Sequence, residues 1–176
     1  MSDILPYTHA LFVAVYVFCI CYAIVSDFTR MTIPNWIPLA LVAAFAIFAL
    51  LYIDTGTLTR HLYPAGAVFA LGVVFFVLGW IGGGDVKLMT AVTLWMGTQA
   101  APAFVMIMAA LGAVLAGLLF TANRYSDELQ PYADRNRFIA RILELAHSGR
   151  CPYGVAIGIA GLVPNAAPIW QTPAAF

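Results

Sequence analysis

Charge is what this chain has least of. Asp, Glu, Lys and Arg make up 9% of its 176 residues, against about 25% in a typical soluble domain. Eight basic residues balance eight acidic ones, which leaves no global basic surface and excludes nucleic acid as a partner. Cysteine is scarce too: Cys19, Cys21 and Cys151 give no CxxC pair for a zinc or redox site. Cys19 and Cys21 fall inside the first apolar run and read as small packing residues. His9, His61 and His147 show no metal-ligand spacing, so no metal is expected, and no Ser–His or Cys–His arrangement is indicated. Met1 to His9 contains no Lys or Arg. It therefore lacks the n-region of a cleaved signal peptide, and the first helix is expected to remain.

What the chain has is hydrophobicity: 63% apolar residues and a mean hydropathy of +0.92. This is an integral membrane protein of the all-α class, read as one membrane-embedded domain over 1–176. Six spans are predicted: Ala10–Ser26, Trp36–Ile53, Ala65–Trp80, Asp85–Thr98, Ala103–Thr121 and Tyr153–Trp170. Asp54–Pro64 reads as a polar hairpin and Gln99–Pro102 as a tight turn, with Pro164 and Pro168 kinking the last span. The fourth span covers only about 20 Å of an apolar core about 30 Å thick. Asp85 must then sit below the interface, or the bilayer must thin around it. Gly112 and Gly117 are small residues that let membrane helices pack closely. The one long polar segment, 123–150, carries Phe138, Ile139, Ile142, Leu143 and Ala146 near one helical face. That fits an interfacial amphipathic helix or a solvated loop helix equally.

Seven cations (Arg30, Lys87, Arg124, Arg135, Arg137, Arg141 and Arg150) follow odd-numbered spans, and only Arg60 lies on the other side. The positive-inside rule then places the Asp27 and Asp85 segments in the cytoplasm and both termini outside. Trp36 and Trp80 are expected at the inner boundary, and Trp95 and Trp170 at the outer one.

Within this apolar background stands Gly82-Gly83-Gly84-Asp85-Val86-Lys87-Leu88. Three glycines remove every side chain just before a carboxylate, which permits close approach of another backbone, here expected to be a substrate's. An ionisable group at such depth is costly and marks a functional site. Asp27, at the end of the first apolar run, comes to the same face by topology. Adjacent carboxylates resist ionising together, so the pair can split into one acid and one base and activate water against a peptide carbonyl. Asp27 follows a helix C-terminus, which disfavours an anion, so the shared proton is expected mainly on Asp27. Pro34 suits the first turn of the second helix, and Asn35 is expected to cap or fasten the loop. Arg30 and Lys87 read as positive-inside anchors that also favour ionised aspartate or attract anionic headgroups.

The pattern Asp27…Ile33-Pro34-Asn35, then Gly82–Leu88, resembles the type IV prepilin peptidases of the GxGD class of membrane aspartic proteases. Pro152-Tyr153-Gly154-Val155-Ala156-Ile157 is similar to their last helix. The resemblance implies that Asp27 and Asp85 are catalytic. It implies a prepilin or pseudopilin substrate, cut at a glycine at the end of a short basic leader on the cytoplasmic side. It also implies a multi-pass protein of the cell inner membrane that needs no cofactor. Large members carry a cysteine-rich cytoplasmic segment and methylate the new N-terminus. This chain lacks that segment, so methylation is not expected, and it looks like the small form associated with tight-adherence pili or preflagellins. The rival reading is a small proton- or cation-coupled carrier using the same two acids, which predicts broken helices near the midplane.

Overall fold

A computed structural model describes residues 5–163. Among these residues seven helices follow in order: α1 (Leu5–Arg30), α2 (Trp36–Tyr52), α3 (Thr55–Val77), α4 (Gly83–Arg124), α5 (Ser126–Ala133), α6 (Arg137–Ser148) and α7 (Tyr153–Leu162). The described residues contain no strand, in line with the all-α class. Among the described residues, three helical stretches are long and apolar enough to cross a membrane: Tyr7–Arg30, Thr55–Val77 and Gly83–Arg124. Trp36–Tyr52 and Tyr153–Leu162 are apolar but shorter. The expected positions of Pro164, Pro168 and Trp170 lie outside the described residues.

The boundaries differ from the sequence expectations in three places, each for a local reason. The hairpin expected over 54–64 is helical. Asp54 caps α3, its carboxylate accepting from the Thr57 amide at 2.8 Å and from the Thr57 hydroxyl at 2.7 Å, so the helix starts ten residues earlier than its apolar run. α1 continues through Asp27 to Arg30, which places the acid in a helical turn and not in the loop after it. The turn expected at Gln99–Pro102 is also helical. The break lies at Gly97, with φ 63° and ψ −177°.

That break reverses the chain. In a straight helix Asp85 and Gly112 would stand about 40 Å apart. Yet Tyr153 borders the same cavity as Asp85, and its ring lies so close to Gly112 that a Cβ there would overlap it. The arms 83–96 and 98–124 therefore double back on each other. His61 of α3 sits in the bend, Nδ1 donating to the Leu94 carbonyl at 2.9 Å.

The main core is aromatic and centred on Trp95, only 1% exposed. Its indole donates to the Leu41 carbonyl at 3.1 Å. Tyr16, Phe45 and Phe48 surround it at ring-centroid distances of 5.6, 5.4 and 5.4 Å, each such pair contributing about 0.5–1.5 kcal/mol beyond burial. Trp95 is thus a core residue, and its expected place in an outer aromatic belt is corrected. A second cluster joins Leu119 and Ala122 of α4, Ala133 of α5 and Leu143, Leu145 and Ala146 of α6, with Phe28 and Met31 packed against it. Leu143 and Ala146 on the apolar face of α6 are therefore covered by protein, whereas Phe138 stays exposed. The ends of α1 and α4 supply the partner surface.

Candidate active site

α1 ends one turn after Asp27, at Arg30, through a left-handed residue. Met31 has φ 53°, and its amide donates to the Asp27 carbonyl at 2.9 Å. The Ser26 hydroxyl donates to the Thr32 carbonyl at 2.8 Å, pinning the chain as it leaves the helix. Ile33 then runs between two glycines. A Cβ on Gly84 would stand 3.2 Å from the Ile33 Cβ, and one on Gly154 would stand 2.7 Å from its Cδ1. The glycines so allow α4 and α7 to close on the segment that follows Asp27.

Asp85 lies in the first turn of α4, and its Oδ2 accepts from the Gly82 amide at 3.2 Å. The preceding loop is held by a Schellman turn. Gly79, at φ 75°, donates to the Phe76 carbonyl and Trp80 to the Phe75 carbonyl, both at 2.9 Å. The Phe75 and Trp80 rings stack at 5.4 Å.

Asp27 and Asp85 face one cavity of about 520 Å³. Its other walls are Met31, the 79–82 loop, and Gly149, Arg150, Cys151 and Tyr153 from the link between α6 and α7. Asp27 is 5% exposed, and the amides of Gly154 and Val155, at the start of α7, face its carboxylate. Its Oδ2 is buried without a hydrogen-bond partner in the protein. A Cβ on Gly154 would stand 2.8 Å from that oxygen, so glycine alone admits the acid there. Burial pushes the Cys151 thiol up to about 11, and the charges of Asp27 and Asp85 add to the shift.

The remaining sequence candidates distribute around this centre. Gly82 borders the cavity, whereas Gly83 faces Phe76 and Gly84 faces Ile33. Asn35 makes no side-chain cap on α2; its Oδ1 accepts from Lys87 Nζ at 2.8 Å, tying the two motif segments together. Pro34 precedes α2, its carbonyl accepting from the Ile37 amide at 3.1 Å. Arg30 is exposed in the last turn of α1. Arg30, Pro34, Asn35 and Lys87 do not border the cavity. Gly154, Arg150 and Trp80 were not singled out as site residues from the sequence. The Pro-Tyr-Gly start of the last helix was the available signal for Gly154, since a glycine in a helix's first turn points to a close neighbour. Among the described residues no cluster of His, Cys, Asp and Glu is suited to a metal ion.

Fold and site together define an all-helical membrane protein in which two carboxylates, 58 residues apart in sequence, border one cavity. A family model described as the type IV leader peptidase family matches residues 14–117, more than half of the chain, and the protein belongs to that family. It is accordingly a peptidase. The matched span holds Asp27 and Asp85 and ends before α5, α6 and α7. No curated protein and no solved structure matches the chain.

Proposed function

We propose that the protein is a membrane aspartic endopeptidase that removes the leader from prepilin-like substrates at the cytoplasmic face of the inner membrane, through Asp27 and Asp85. The observation that carries this reading is the shared cavity, which brings the two acids together from α1 and α4. The six-span topology with both termini outside belongs to the same proposal and rests on the seven-to-one distribution of cations.

The chemistry needs one carboxylate and one carboxylic acid. The carboxylate takes a proton from water as the water oxygen attacks the scissile carbonyl, and the acid gives its proton to the carbonyl oxygen. The tetrahedral intermediate collapses when the first group passes its proton to the leaving nitrogen and the C–N bond breaks, while the second, now ionised, takes a proton back from a hydroxyl of the intermediate to leave the product carboxylic acid. We assign the base to Asp27, reversing the expectation from its own helix end. Two amides at the start of α7 face Asp27, whereas one amide, that of Gly82, bonds Asp85. Helix N-termini favour anions.

The test is leader cleavage by purified Asp27→Asn and Asp85→Asn proteins. Each is expected to lose at least about 10²–10⁴-fold in kcat, the contribution of acid–base assistance, while accumulating normally. Full processing by either variant would sink the pair. Infrared difference spectra assign the proton: on this reading the protonated-carboxyl band disappears in Asp85→Asn and survives in Asp27→Asn.

A further inference from the structure

Phe28, the residue next to Asp27, is held at both its backbone and its ring by α6. Arg141 Nε donates to the Phe28 carbonyl at 2.9 Å. The Phe138 ring stacks on the Phe28 ring, with centroids 5.6 Å apart and planes 25° apart. Arg141 is aimed by Glu144, whose Oε2 lies 2.7 Å from its guanidinium, and its side chain is 19% exposed. The carbonyl it takes belongs to the last turn of α1, where the helix runs out of N–H donors. The guanidinium also brings positive charge to the end where partial negative charge collects, and a charge-assisted bond is about twice as strong as a neutral one.

Asp27 is therefore fixed from two directions. α7 meets its carboxylate, and α6 holds the backbone one residue along. Both elements lie outside the span that matches the family model. We propose that the α5–α6 hairpin is a positioning element for the catalytic pair, with Arg141 as the positioning residue that sets where Asp27 stands in the cavity. The proposal rests on the reading of Asp27 as half of that pair. An undocked hairpin would leave both acids present but out of register. A displacement of about 1 Å is enough to lose about 10²-fold in rate.

The experiment uses the full chain in detergent, a prepilin-type peptide whose basic leader ends in glycine, and the variants Arg141→Ala, Arg141→Lys, Phe138→Leu and Arg137→Ala. Arg141→Ala is expected to lose about 10²-fold in kcat with KM within about twofold, the signature of an effect confined to the transition state. Arg141→Lys, which still donates to the Phe28 carbonyl, should recover most of that loss. Phe138→Leu should fall in the same direction by less, and carries the test if Arg141→Ala does not accumulate. Arg137, exposed on the same helix, should be indifferent to alanine. Wild-type kcat in Arg141→Ala, a loss confined to KM, or an equal loss in Arg137→Ala overturns the proposal. Hydrogen exchange at residues 25–31 is read on the same samples without substrate. Faster exchange in Arg141→Ala supports the clamp even if Asp27→Asn stays active and the peptidase reading fails; unchanged exchange overturns it.

Discussion

Cys151 is a single thiol that reads the charge of its surroundings. Burial and the two neighbouring carboxylates all disfavour its thiolate, which is why it titrates near 11. At neutral pH only about 10⁻⁴ of it is ionised, and the thiolate is the reactive form. Maleimide labelling of Cys151 is therefore expected to be slow at pH 7 and to rise about tenfold per pH unit until pH approaches 11. The double variant Asp27→Asn/Asp85→Asn removes the negative charge of the pair, so labelling at pH 8 should be faster in that variant. Peptide mass spectrometry measures the rate, and equal rates in the two proteins would show that the carboxylates do not act on the thiol. A carboxylate is costly in an apolar chain, so Asp27 and Asp85 stand out in the sequence, and the structure brings both to one cavity. The groups that face Asp27 are not legible in the sequence. The sequence shows Asp27 only at the end of its own helix, whereas the amides that face it arrive from residues 154 and 155.

Among the elements, α7 contributes most to the site for its length. Its first turn aims two amides at Asp27, and Gly154 leaves room for the carboxylate. Gly154→Ala puts a methyl against Asp27 Oδ2 and Ile33. It is expected to cut kcat by about 10²-fold or more through displacement of the acid. Helix stability should be little affected, since alanine is the better helix former by about 0.8–1.0 kcal/mol. Circular dichroism melting and cleavage kinetics on the same preparation separate the two effects, and undiminished kcat would remove α7 from the site. The helices were largely visible as apolar runs, but their ends were not. α3 begins at a cap made by Asp54 and Thr57 inside a polar stretch, and hydropathy registers the polarity without the cap. Trp95 illustrates the same limit. Its position near the end of an apolar run suits a boundary residue, yet the reversal two residues later folds it into the core. The grip of Arg141 on Phe28 spans 113 residues, and no local pattern announces it.

For the whole molecule the decisive residue is Gly97. With φ 63° and ψ −177° it occupies a region essentially reserved for glycine, and a Cβ there would stand 3.1 Å from the His61 ring. Gly97→Ala is expected to destabilise the fold by about 1–3 kcal/mol, seen as a lower thermal midpoint in detergent. An unchanged midpoint would mean that the reversal tolerates an ordinary residue. Because the chain doubles back there and returns to close the site with α7, the order of synthesis matters. On the proposed function, a ribosome that has delivered Asp27 and Asp85 to the membrane has not yet made a complete site. The amides that face Asp27 belong to residues translated about 70 positions after Asp85. On the proposed reading, proteolytic competence is among the last properties this polypeptide acquires, since the two acids are made well before the helix that completes their surroundings.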